Sequence, residues 1–182
     1  MKIGLIGQKW LAAEVFKALN DHHDMAFVAV PRASDRLYAL AMAADVPAIL
    51  YGSTGLDALA GISVDLLICA NAFVFVPAWV RQQARYTIGF HPSLLPLYRG
   101  RTAVADAIAA GERITGGTVY HLTDEMDGGP VAFQDWCFIQ ENETPADLWR
   151  RALAPMGLEL LTRAVDHLAA YGFIPAEEQA IL

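Results

Sequence analysis

The chain is short of basic residues, of cysteine and of unbroken apolar runs, and each shortage removes a class of function. Thirteen Lys and Arg stand against 20 Asp and Glu, a net charge of −7. The basic residues are scattered; Arg99 with Arg101 and Arg150 with Arg151 are the tight groupings. A nucleic-acid surface needs clustered cations, so no nucleic-acid partner is expected. The longest apolar stretch, 66–80, is broken by Asn71 and Pro77. It falls short of the ~18 apolar residues of a spanning helix, so no membrane partner is expected either. The first residues hold neither a long apolar run nor a small-residue cleavage site, so no signal peptide is expected and the protein is placed in the cytoplasm. The two cysteines, Cys69 and Cys137, lie in apolar runs with no ligand spacing. They read as reduced core residues, and no His/Cys/Asp cluster has the spacing of a metal site. The glycine fingerprint of dinucleotide binding is missing, with only Gly4 and Gly7 near the first strand, and so is a phosphate loop.

What remains is a core-rich chain. Apolar residues make up 55% of its 182 positions, and mean hydropathy is +0.32, which excludes disorder. That length is read as a single domain, 1–182. The apolar surplus leaves room for a homo-oligomer interface. Short apolar runs at 2–6, 25–30, 47–51, 63–70 and 86–90 predict strands. Helical spacing predicts helices at 11–19, 36–44 and 77–84 between them. Strands alternating with helices indicate βαβ units, and right-handed crossovers then give an open, mostly parallel, doubly wound (Rossmann-like) α/β sheet with flanking helices. The second half adds a Pro-rich loop at 91–100, a helix at 102–110 and strands at 115–122 and 131–139. Thr144 is the expected cap of the last helical region, with Pro145 in its first turn. Pro155 is expected to kink or restart that helix, Gly172 to stop it near residue 171, and the tail after Pro175 to be peripheral.

Ligands of open parallel sheets gather at the carboxyl ends of strands. Three loops there carry chemistry. Gly7-Gln-Lys-Trp10 reads either as a tight turn or as a loop in which Lys9 and Trp10 line an acceptor pocket. After the strand at 86–90 comes His91, held between a buried strand and Pro92, where an imidazole can donate to a developing oxyanion. The third loop, 123–130, holds Asp124, Glu125 and Asp127 before Gly128 and Gly129. An Asp-Gly turn needs one acid rather than three. Asp127, beside two glycines, can approach a ligand closely, orient a histidine or take a proton from an amine.

The segments HPSLLPLYRG (91–100) and TGGTVYHLTDEMDGGPV (115–131) resemble those of the folate-dependent formyltransferases. These include enzymes acting on glycinamide ribonucleotide, methionyl-tRNA and amino sugars. The resemblance is specific over 86–150 and weak before residue 60. It implies a formyltransferase-like catalytic domain that uses 10-formyltetrahydrofolate as co-substrate, with no metal. It implies His91 and Asp127 as the catalytic pair. It also implies folate contacts at Phe73, Val74, Phe75 and Val76, and at Thr123, Asp124, Glu125, Met126 and Asp127. Ser93 and Arg99, with Lys9 and Trp10, are the acceptor-side candidates.

The family's Asn, two residues before the His, is thought to bond the formyl oxygen; here that position is Gly89. Losing one oxyanion donor costs ~10²–10³ in rate. Three readings follow: activity with His91 and water, a substitute donor at Asn71, or folate binding without transfer. Release of formate to water, a hydrolase, is a further alternative. The loop after the first strand does not match the phosphate cradle of the glycinamide ribonucleotide enzymes. No C-terminal tRNA-binding domain is expected. The expected acceptor is therefore a small amine, an amino sugar or an amino-acid derivative.

Overall fold

β-Branched and aliphatic runs became strands where the sequence placed them. The computed structural model describes residues 1–52 and 55–180. Seven strands form one sheet in the order β3-β2-β1-β4-β5-β6-β7. Pairing is parallel from β3 through β5 and antiparallel between β6 and β7. The chain divides into two compact units, Met1–Gly89 and Phe90–Leu182.

The first unit holds β1 (Lys2–Gly7), α1 (Lys9–Asn20), β2 (Asp24–Val30), α2 (Arg36–Ala43), β3 (Ala48–Leu50), β4 (Val64–Ala70), α3 (Ala78–Arg81) and most of β5 (Ala84–His91). Ile3, Leu5 and Ile6 of β1 are fully buried, as are Leu66 and Ile68 of β4. At ~25 cal/mol per Å² of apolar surface removed from water, each such side chain contributes roughly 1.5–3 kcal/mol. α1 turns Leu11, Val15, Phe16 and Leu19 inward at helical spacing and packs on β1 and on α2. Its first turn begins close to β4. A Cβ on Gly7 would stand 2.3 Å from the Ala70 carbonyl oxygen, so only glycine lets the strands meet there. Asp35 caps α2, accepting from the Leu37 N–H at 2.9 Å. α3 is one turn, shorter than the expected 77–84, because the Gln83 carbonyl leaves the helix to accept from Val64. A 3-10 turn at Asp57–Leu59 had no sequence signal. Cys69 lies in the core, where burial pushes its thiol up to about 12.

The second unit adds α4 (Ala103–Ala109), the hairpin of β6 (Ile114–His121) and β7 (Val131–Phe138), α5 (Pro145–Leu148) and α6 (Ala154–Tyr171). Thr144 caps α5 with its hydroxyl, as expected. The helix restarts at Pro155 as expected: α6 begins at Ala154 with the proline in its first turn. A π turn at Trp149–Leu153 precedes it, with the Ala154 N–H reaching back to the Trp149 carbonyl. Pro155 itself has no amide hydrogen to donate, which the first turn of a helix tolerates. Gly172 stops α6 in the left-handed conformation, φ 76°. Cys137, on β7, is half-buried rather than in the core. The tail departs most from expectation. Glu177 exchanges both backbone bonds with Val131, at 2.7 and 2.8 Å, which adds a bridge to β7.

Candidate functional site

His91 is the last residue of β5 rather than the first of a loop, so a strand ladder fixes its backbone. The residue is 5% exposed. The loop beyond it is pinned by a buried polar network. Ser93, completely buried, donates to the Leu97 carbonyl at 2.5 Å. Thr118 of β6 donates to the Ser93 carbonyl at 2.7 Å and accepts from the Leu95 N–H at 3.1 Å. Gln134 of β7 donates to Thr118 and to the Leu95 carbonyl. A network with its polar groups paired rigidifies what it holds.

The loop then doubles back at Tyr98, a non-glycine residue at φ 53°. That turn sets the Tyr98 carbonyl 2.7 Å from His91 Nε2. A carbonyl can only accept, so Nε2 carries a hydrogen. Outside the turn, the Tyr98 phenol donates to Glu112, which raises the phenol above its usual range. The other ring nitrogen, Nδ1, faces Asp127 Oδ2 at 3.4 Å.

Asp127 follows β6 and is itself strained, at φ 52°. Such a conformation persists where the surroundings over-determine it. Oδ2 accepts from the Gly100 N–H at 2.8 Å, and Oδ1 accepts from the Tyr120 hydroxyl at 2.8 Å. Behind it, a Cβ on Gly129 would stand 1.8 Å from the His121 carbonyl oxygen, so the loop can close only with glycine there. The carboxylate is 13% exposed and multiply bonded, while the Nδ1 contact stays longer than the ~2.7–2.9 Å of a closed charge-assisted bond. The pair is therefore assembled but not locked. With Nε2 carrying a hydrogen, Nδ1 carries one as well only in the imidazolium form, and in that form it can donate to a third atom carrying negative charge while the carboxylate remains an acceptor.

The remaining sequence candidates fall into both units. In the second unit Thr123 and Glu125 close a small turn on each other, and Met126 presents an exposed side chain. Asp124 is exposed as well. Arg99 is paired with Glu125 and bonded to Gln179. In the first unit the loop after β4 exposes Phe73 and Phe75, half-covers Val74 and buries Val76. Asn71, at φ 54°, donates to the Gln8 carbonyl at 3.4 Å. Lys9 is exposed and its N–H is bonded to Asp35, while Trp10 is part-exposed. Sequence reasoning passed over Tyr98, Gly100, Tyr120 and Gln179. Tyr120 shares a strand face with Thr118, two residues back, and could have been read from that alternation. The Tyr98 carbonyl and the Gly100 N–H are backbone groups, on which the side-chain alphabet is silent.

A sequence model of the family described as "Formyl transferase" matches residues 46–165. The chain is 26% identical over 198 residues to the methionyl-tRNA formyltransferase of Anaplasma phagocytophilum (strain HZ), covering 100% of this chain and 65% of that protein. It is 28% identical over 184 residues to the mitochondrial 10-formyltetrahydrofolate dehydrogenase of Mus musculus, covering 93% of this chain and 20% of that one. The chain thus spans from a fifth to about two thirds of the length of these relatives. Among solved structures, glycinamide ribonucleotide transformylase 1 from Symbiobacterium toebii superposes with a TM-score of 0.83 at 25% identity, over 100% of this chain and 94% of that one.

Proposed function

The chain belongs to the formyl transferase family, and from that premise we propose that it moves a formyl group from 10-formyltetrahydrofolate to the amine of a small acceptor. Residues 1–182 act as one catalytic domain in this reading. The observation that carries it is the buried, unlocked pair of His91 Nδ1 and Asp127 Oδ2 at 3.4 Å.

The amine arrives unprotonated and attacks the formyl carbon, forming a C–N bond and a tetrahedral oxyanion. His91, anchored through Nε2 on the Tyr98 carbonyl, acts in this reading as the imidazolium and offers its Nδ1 hydrogen to that oxygen. Asp127 orients the ring and, through water, passes the proton released by the amine to N10 of the folate as the C–N10 bond breaks. Holding both substrates together supplies much of the remaining acceleration. Folate contacts are assigned to Phe73, Val74, Phe75 and Val76 and to residues 123–127. The exposed rings of Phe73 and Phe75 and the exposed Met126 suit a flat pterin. Lys9, Trp10, Ser93 and Arg99 are the acceptor-side assignments. Ser93 is completely buried, with its hydroxyl spent on Leu97 and its carbonyl on Thr118, so its part there is to hold the loop rather than to touch the acceptor. Asn71 is assigned the oxyanion bond that Gly89 cannot make. Its 3.4 Å bond to Gln8 is weak enough to exchange. The acceptor is a small amine such as an amino sugar or an amino-acid derivative, in the cytoplasm.

Gly89 also supports a second reading, a folate-binding protein or a 10-formyltetrahydrofolate hydrolase. One experiment separates them. Purified protein is mixed with 10-formyltetrahydrofolate, with and without a panel of amines, amino sugars and amino acids, and tetrahydrofolate release is followed by absorbance. Release that depends on an amine is expected. Release without one points to the hydrolase, and folate binding with no release overturns transfer.

A further inference from the structure

The amide of Gln179 sits in the described part of the tail, and both of its ends are occupied. Its Nε2 donates to the carbonyls of Asp127 and Gly129, each at 2.8 Å. Its Oε1 accepts from Arg99 Nη2 at 2.6 Å and from Arg99 Nε at 3.2 Å. The orientation of the amide is chemically forced, because carbonyls only accept and a guanidinium only donates. An amide has two N–H hydrogens and two oxygen lone pairs, and here all four are used. The two carbonyls bracket Gly128, so Gln179 closes the Asp-Gly-Gly turn from outside. The bridge between Glu177 and Val131 places it there.

We infer that Gln179 is a positioning residue for Asp127. Asp127 is held in the left-handed region, which L-residues adopt only as single, locally bonded positions. Its carboxylate bonds to Gly100 and Tyr120 fix the side chain. The backbone that aims this side chain is fixed by Gln179. The same amide turns Arg99 back onto Glu125 of that loop. Without the clamp, the peptide at residue 127 can relax, and the distance from Oδ2 to His91 Nδ1 is no longer set. This inference rests on the catalytic reading of the His91–Asp127 pair, so its test needs a readout that works without turnover.

The imidazole ¹⁵N signals of His91 are that readout, recorded on the protein alone at one pH. Wild type, Asp127→Asn, Gln179→Met and Gln179→Glu are compared. Gln179→Met keeps length and loses all four bonds. Gln179→Glu keeps an acceptor for Arg99 and loses both donors. In both Gln179 variants the His91 signals are expected to move toward those of Asp127→Asn. With 10-formyltetrahydrofolate as substrate, turnover should slow by about tenfold while KM stays nearly unchanged, as misplacement of a reacting group predicts. Signals that stay at the wild-type positions in Gln179→Met while Asp127→Asn moves them overturn the inference. So does Gln179→Glu behaving as wild type, since the donors would then be idle. If Gln179→Met does not fold, Gln179→Glu and Gln179→Asn, which withdraws the amide by one methylene, carry the same comparison. Wild-type turnover in Asp127→Asn overturns the catalytic reading instead, and a signal shift in Gln179→Met would then mark a structural clamp only.

Discussion

Two polar residues after strands, Asn71 beyond β4 and Asp127 beyond β6, share nearly the same strained backbone, φ 54° and 52°. Their surroundings differ. Asn71 reaches the Gln8 carbonyl at 3.4 Å. Asp127 is held by Gly100 and Tyr120 at its carboxylate and by Gln179 at its carbonyl, and it faces His91. Asn and Asp tolerate the left-handed region because a short polar side chain bonds locally, so strain alone does not mark a site. The converging donors do. A carboxylate surrounded by fixed donors keeps its position while a substrate arrives, whereas an amide on one long bond is free to change partners. The first is a fixed acceptor and the second an adaptable donor.

The sharpest way to break that contrast is to remove the fixed acceptor. Asp127→Asn and His91→Ala should each slow turnover of 10-formyltetrahydrofolate by about 10²–10⁴, as loss of an acid–base group does. Unchanged turnover in either would dissolve the pair. The adaptable donor is tested by a double-mutant cycle with position 89. If Asn71 supplies the missing bond, Asn71→Ala should cost roughly 10²-fold in the Gly89 protein. In the Gly89→Asn background the loss should shrink to a few-fold, because a second donor then shares the load. Equal losses in both backgrounds would return Asn71 to a role as a strand-end turn.

The sequence made the chemistry-bearing loops legible for a physical reason. A buried strand that ends at a histidine, and an acid run before two glycines, are local patterns. Chain neighbours decide most of where those residues sit. The parallel strands were legible for the same reason, since runs such as Val64–Ala70 bury both faces. What stayed hidden depends on distant partners or on backbone atoms. Gln179 meets Asp127 across 52 positions of sequence and Arg99 across 80. Nothing near residue 179 announces either meeting. The Tyr98 carbonyl that anchors His91 depends on a left-handed tyrosine, a conformation its side chain does not encode. The π turn before Pro155 was likewise unannounced, because the sequence marks the proline and not the extra residue in the turn before it.

Stability draws the same contrast more finely. Asn71→Gly removes a strained Cβ and a weak bond together, so it should change unfolding free energy by no more than about 0.5 kcal/mol. Asp127→Gly removes the strain too, but it also removes the carboxylate that accepts from the Gly100 N–H and from the Tyr120 hydroxyl. Hydrogen bonds to a charged group are worth about 1.5–3 kcal/mol each, and relief of the strain offsets part of their loss, so a cost of roughly 2–4 kcal/mol is expected in urea denaturation. Equal effects at the two sites would mean that the strain, not the donors, distinguishes them.

The smallest effect sets the site carboxylate against one that serves only the scaffold. Glu143 takes two bonds from Arg151, at 2.6 and 2.8 Å, and one from the Gln140 N–H at 3.0 Å. The bond from Arg151, more than any other influence, holds its carboxyl below the usual range. A lowered native value means that ionised Glu143 adds stability above the ordinary glutamate value, ~4.3, and loses it as pH falls through the lower native value. Glu143→Gln should therefore cost about 1 kcal/mol or less at neutral pH, within the range of ion pairs near solvent. The gap between wild type and variant should be flat from pH 7 to about pH 5 and close below about pH 4, read from urea midpoints. Turnover at neutral pH should not change. A fall in turnover without a matching loss of stability would tie Glu143 to the reaction and remove the distinction between a carboxylate that holds the fold and one that moves a proton.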